Sequence, residues 1–197
     1  MDLKSVIEDA LKVLKAGGVI LYPTDTVWGL GCDATDAKAV ARIFEIKRRS
    51  EAKSLVLLAS DLDMVALHVK QIPSIAIDLV EVNDAPMTII YPQAQYLAPN
   101  AVAEDGSVGI RIPCEVEGEE GGGAFCKALI RRLRHPLVST SANISGEPTP
   151  KSFREIPQEI RDAVDYVAPA YLERGSTGKA SQIIKLGLGG EVQIIRA

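Results

Sequence analysis

The chain has 197 residues, 47% hydrophobic and 24% charged, with a formal net charge of −4. That length supports a sizeable core, and the acidic balance excludes a surface coated for indiscriminate phosphate-backbone binding. No apolar run approaches the ~20 residues that span a bilayer, and Met1-Asp2-Leu3-Lys4 lacks a secretory start, so a cytoplasmic protein with no membrane contact is expected.

Apolar residues at helical spacing predict a helix over 3–16, ended by Gly17-Gly18. Val19 to Tyr22 reads as a short buried strand that stops at Pro23. After it comes a Gly-containing loop, Thr24 to Asp33, whose backbone can press close to a ligand; Trp28 within it serves as a core anchor. A helix over 36–46 leads into Lys47-Arg48-Arg49, and a strand is expected over 54–58. Ser60-Asp61 can cap a short helix through Val69, and Pro73 opens another. Strands follow at 87–91 and 108–112, with the polar stretch 92–106 between them unassigned. The run 115–123 is expected to be a mobile surface loop. Helix 124–134, strand 136–139, a polar loop 140–150 and two short helices around 152–164 come next. Strands at 164–167, 182–185 and 192–195 close the chain, the last two joined by a hairpin turn at Gly187-Leu188-Gly189-Gly190. Strands interleaved with helices at uneven spacing indicate an α/β fold with a mixed sheet in a single domain, residues 1–197.

Several chemistries are excluded by motif. There is no G-x-x-x-x-G-K-[ST] loop, no G-x-G-x-x-G fingerprint and no G-x-S-x-G elbow. Two histidines give a Ser–His–Asp triad little support, and His135 reads as a polar residue closing its helix. Cys32, Cys114 and Cys126 form no C-x-x-C pair and read as reduced thiols rather than a zinc site. Four polar clusters remain. The first is the Thr24-Asp25-Thr26 loop. The second is Lys47-x-Arg49 with Lys53 behind it, more cation than helix capping needs and suited to a triphosphate. The third is Ser107-Val108-Gly109-Ile110-Arg111-Ile112-Pro113, where Arg111 either sits on an exposed edge or lines a pocket. The fourth is Ser139-Thr140-Ser141-Ala142-Asn143-Ile144-Ser145-Gly146, with more small donors than a turn requires.

In that order and spacing, these clusters resemble the YrdC/TsaC family, the threonylcarbamoyl-AMP synthases of the short, single-domain type. The similarity covers roughly residues 5–185. It implies a YrdC/RibB-like fold, a twisted mixed α/β sheet around a large concave pocket. The implied reaction condenses L-threonine, bicarbonate or CO2, and ATP into threonylcarbamoyl-AMP and pyrophosphate. Partner tRNA threonylcarbamoyl-transferase proteins then move the group to tRNA. By this resemblance Lys47, Arg49, Ser141 and Asn143 form the catalytic tetrad. Thr26 and Arg111 take threonine, with Thr24 in the same loop and Ser141 nearby, while Ser107 and Lys53 join Lys47, Arg49 and Asn143 on ATP. Such a displacement needs positioning and charge neutralisation rather than a protein nucleophile. Mg²⁺ is expected to be held mainly by ATP and water, with no protein metal site. The chain departs from the family pattern at Asp84-Ala85-Pro86-Met87-Thr88, at Leu58 and at Ser181-Gln182-Ile183-Ile184-Lys185. Two other readings stay open: a module that grips tRNA, double-stranded RNA or the ribosome, and a YciO-like paralogue without synthase activity.

Overall fold

A computed structural model describes residues 2–50, 55–115, 118 and 120–197. Helix α1, Leu3–Lys15, starts where Asp2 accepts a hydrogen bond from the Ser5 amide at 2.7 Å, and buries Val6, Ile7, Ala10 and Leu14. Gly17, at φ +77°, ends it, and the amides of Gly17 and Gly18 close back onto Leu14 and Val13. Then follow β1 Ile20–Pro23, β2 Trp28–Gly31, α2 Ala37–Ile46, β3 Val56–Leu58, α3 Leu62–His68, α4 Ser74–Val82, β4 Met87–Tyr91 and β5 Val108–Arg111. The rest are α5 Gly122–Leu133, β6 Leu137–Ser141, α6 Gln158–Ala163, β7 Tyr166–Val167, β8 Gln182–Leu186 and β9 Val192–Arg196.

The nine strands form one mixed sheet in the order β7-β1-β2-β6-β3-β5-β4-β8-β9. Three neighbouring pairs are parallel (β1–β7, β3–β5, β4–β8) and the rest antiparallel. The mixed α/β sheet read from the sequence is therefore present. Its main core joins α1, α2 and α5 to the sheet, through side chains such as Leu14, Ile43, Phe125 and Leu129. A second cluster packs Leu21, Trp28 and Leu30 against Ile156 and Ile160.

Two expectations are corrected. The segment after Thr26 is not all loop: Trp28–Gly31 is a strand paired with both β1 and β6. Its glycines do permit close approach, but to the protein itself. A Cβ on Gly31 would lie 2.6 Å from the Tyr22 ring and from the Val138 carbonyl. Trp28 is the anchor expected, its ring tilted at 47° to that of Phe153 with centroids 5.0 Å apart and its indole N–H on Glu173 at 2.7 Å. Gly122 and Gly123 likewise belong to no mobile loop. They are the buried first turn of α5, where a Cβ would meet the Thr24 carbonyl at 2.4 Å and the Cys114 carbonyl at 1.8 Å. Val116, Glu117 and Glu119 of that loop, and Ser54 at the start of the expected 54–58 strand, lie outside the described residues. All three cysteines are free, and Cys32 and Cys126 are buried.

Candidate active site

One face of the sheet floors a cavity of about 670 Å³. Because side chains alternate along a strand, register alone assigns its floor. One cross-strand row runs Ser139, Val56, Gly109, Ile90, Lys185, Gln193 through β6, β3, β5, β4, β8 and β9. A second, two residues along, runs Arg111, Thr88, Ile183, Arg196. All ten line the cavity. The register slips between Ile183 and Ile184, opposite β9. Such a bulge breaks the alternation, and so Ile195 and Arg196, neighbours in sequence, both reach the cavity.

The β1–β2 turn forms one wall. Thr24 organises it: its hydroxyl accepts from the amides of Thr26 (3.0 Å) and Val27 (3.2 Å) and lies 2.8 Å from the Thr26 hydroxyl. Thr26 is thereby turned into the cavity while Thr24 stays behind it. Asp25 faces inward to Arg111. The two form a salt bridge, at 6% and 4% exposure, and the second Asp25 oxygen accepts from the Cys114 amide at 2.9 Å. Arg111 also donates to the Thr26 hydroxyl at 3.3 Å. A guanidinium carries five N–H donors, so this fixed fork still has donors to offer the cavity it lines. The glycines of α5 hold the turn in place. Gly123→Ala is expected to cost about 1–3 kcal/mol, as overpacking does, measured by urea unfolding; an unchanged midpoint would show that α5 is not pressed against Cys114.

The opposite wall comes from the end of α2. Lys47 is the helix C-cap and Arg48 adopts φ +49°. The amides of Arg48 and Arg49 bond back to Glu45 and Phe44, the closing pattern of a left-handed helix end. That reversal carries Arg49 to the cavity, where burial lowers the pKa of its guanidinium. Lys47 turns away. Its ammonium, 2% exposed, donates to the carbonyl of Ser141, to that of Asn143 (2.7 Å) and to Asn143 Oδ1 (3.3 Å). Asn143 Oδ1 also accepts from the Ser141 hydroxyl at 2.5 Å, and its Nδ2 donates to Glu147. Burial, then the nearby Arg49, lowers the Lys47 pKa to about 8.

Of the residues singled out in the sequence, Thr26, Arg49, Ser107, Arg111 and Ser141 line one cavity. Thr24, Lys47 and Asn143 stand behind that lining, bonded to it, and Lys53 lies outside the described residues. Sequence reasoning missed Thr88, Asp105, Thr149, Ser181, Lys185 and Arg196. Thr88 and Lys185 share a parity with their inward neighbours on strands that were recognised, a usable signal. Asp105 fell in an unassigned stretch, and Arg196 depends on the bulge. No group of three or more His, Cys, Asp or Glu among the described residues could hold a metal, and no described helix is long and apolar enough to cross a membrane.

The cavity's described lining carries four cations, Arg49, Arg111, Lys185 and Arg196, against two carboxylates, Glu104 and Asp105. Within a chain of net charge −4, that local excess focuses a positive field. Fold and site together define an α/β protein with a cation-lined cavity on one face of a mixed sheet. Over residues 12–197 the chain matches the Sua5/YciO/YrdC family, described as Telomere recombination, and it belongs to that family. It is 30% identical over 182 residues to threonylcarbamoyl-AMP synthase of Marinobacter nauticus, covering 91% of this chain and 90% of that one. To the synthase of Xanthomonas euvesicatoria pv. vesicatoria it is 32% identical over 197 residues, 96% of each. The structure of P. abyssi Sua5 complexed with L-threonine superposes with a TM-score of 0.81 at 25% identity. That match covers 94% of this chain and 52% of Sua5, so the present chain spans about half of Sua5's length.

Proposed function

We propose that the chain is an adenylyl-transferring enzyme that makes threonylcarbamoyl-AMP and pyrophosphate from L-threonine, bicarbonate or CO2, and ATP. The observation that carries this reading is the convergence of Thr26, Arg49, Ser107, Arg111 and Ser141 on one cation-rich cavity, in a chain similar throughout to named synthases.

Arg111, fixed by Asp25, receives the amino-acid carboxylate, and Thr26 sits beside it for the threonine side chain. The neutral threonine amine attacks the one-carbon electrophile to form the carbamate, releasing a proton when CO2 is the substrate and water when bicarbonate is. A carbamate oxygen then attacks the α-phosphorus, and pyrophosphate leaves. Alignment and charge neutralisation dominate such a displacement, and Arg49 supplies a cation for it. Ser141 orients the triphosphate, Ser107 contacts the nucleotide, and Lys47 and Asn143 hold Ser141 in place from behind. A Mg²⁺ ion would be brought by the triphosphate and would offset part of its charge. Among the described residues no group of three or more His, Cys, Asp or Glu could hold a metal, so phosphate and water would supply most of the ion's ligands. The product is a mixed anhydride, consumed by a tRNA threonylcarbamoyl-transferase.

The test is pyrophosphate release that requires threonine, bicarbonate and ATP together, with the adenylate identified by mass spectrometry. Arg49→Ala is expected to lower the rate by at least ~100-fold, as loss of a transition-state charge contact does, with the melting midpoint little changed. A rate within about threefold of the parent, under ~1 kcal/mol, would overturn the role given to Arg49. Salt-dependent tRNA binding indifferent to threonine plus ATP, with no pyrophosphate released, would favour the RNA-binding reading instead.

A further inference from the structure

Among the described residues, the cavity cations Arg111 and Lys185 each form an ion pair with a carboxylate, and the two pairs differ. Arg111 and Asp25 are 4% and 6% exposed, so separating them would strand two buried charges. Lys185 and Asp105 meet at 2.7 Å but are 40% and 54% exposed, and a pair so open to water contributes little stability. Asp105 also does not depend on Lys185. One of its oxygens accepts from both the amide (3.0 Å) and the hydroxyl (2.5 Å) of Ser107, and those two bonds survive if the ammonium leaves. The bonds from Lys185 and Ser107 together hold the Asp105 carboxyl well below its ordinary pKa. Lys185 itself is rooted in β8 between β4 and β9, opposite Ile90 and Gln193. Its Cα is fixed while its long stem can swing. On the next strand Arg196, brought round by the bulge and bonded to the Ser181 carbonyl, adds a second cation to the same flank.

We propose that Lys185 is a nucleotide-phosphate contact held in reserve by Asp105, its ammonium passing from that carboxylate to a phosphate when nucleotide enters the cavity. The proposal rests on the reading of the cavity as an ATP site. A phosphate is the fitting competitor because it offers several charged oxygens to one ammonium, whereas the carboxylate of threonine meets Arg111.

The test is calorimetric titration of the intact protein, and of Lys185→Ala, Lys185→Arg and Asp105→Asn, with ATP, adenosine and L-threonine. Lys185→Ala is expected to weaken ATP on the order of tenfold, the size of one charge-assisted contact, with adenosine and threonine unchanged. Lys185→Arg restores ATP binding to within about threefold, because it keeps the charge on a long stem. Asp105→Asn, which keeps an oxygen for Ser107 but removes the competing charge, tightens ATP. Unchanged ATP affinity in Lys185→Ala, or an equal loss for adenosine, would overturn the exchange while leaving the ATP site standing. A parent protein that binds no nucleotide would overturn the ATP reading itself.

Discussion

Asp25→Ala is expected to destabilise the protein by about 3–5 kcal/mol, the cost of leaving one partner of a buried ion pair uncompensated. Arg111 is 4% exposed and Asp25 is its only ion-pair partner among the described residues. The same substitution strips the Cys114 amide of its acceptor. Against a total stability of roughly 5–15 kcal/mol, this is the largest single loss offered by the site. Urea unfolding measures it. Two comparisons separate charge from shape. Asp25→Asn retains an acceptor for Cys114 and costs less than the alanine. The double variant Asp25→Ala/Arg111→Met is more stable than Asp25→Ala alone, since no unpaired charge remains. A loss under ~1 kcal/mol for Asp25→Ala would place the pair among solvent-screened ones. In variants that stay folded, the KM for threonine should rise more than kcat falls, because Asp25 orients the fork that receives the carboxylate.

Much of this arrangement was legible before the fold was known, and the limits have physical causes. The α1 stripe Val6, Ile7, Ala10, Leu14 and the stop at Gly17 are local features, and both appear where periodicity and positive φ require them. β2 was hidden because Trp28-Gly29-Leu30-Gly31 carries two glycines, which locally signal a loop. Their reason is nonlocal: the Tyr22 ring and the Val138 carbonyl occupy the space of a Gly31 side chain. The polar clusters were recognisable as chemistry, but Arg111 left two options open from sequence. Its partner Asp25 lies 86 positions away, and only the sheet joins them. Likewise the Lys47-x-Arg49 spacing announces two cations without saying which faces ligand. The left-handed turn at Arg48 decides it, sending Arg49 to the cavity and Lys47 to the carbonyls of Ser141 and Asn143.

That placement gives Lys47 a pH signature in which stability and activity move in opposite directions. Its folded pKa is lowered to about 8 against an ordinary 10.5, mainly by burial. Between those values the unfolded chain binds a proton that the folded one has lost, so this group's contribution to stability rises with pH. The full span corresponds to roughly 3 kcal/mol. Below pH 8 the ammonium is charged in both states, and its three protons tie Ser141 and Asn143 together. As pH passes 8 the group loses its charge and one of its three N–H donors, so one of the three acceptors on Ser141 and Asn143 is left unserved. The Ser141–Asn143 turn then loosens, and the catalytic rate falls even as Lys47 ceases to oppose folding. Lys47→Met removes both effects. Its rate should be down on the order of 100-fold at neutral pH, a loss of about 2.7 kcal/mol in transition-state stabilisation, with no further decline near pH 8. Its unfolding free energy should lie within about 1 kcal/mol of the parent, relief of a buried charge offsetting the orphaned Asn143 carbonyl. Rate–pH profiles and urea midpoints on the two proteins test this directly. An alkaline limb near pH 8 that persists in Lys47→Met would assign it to another group and remove Lys47 from the brace.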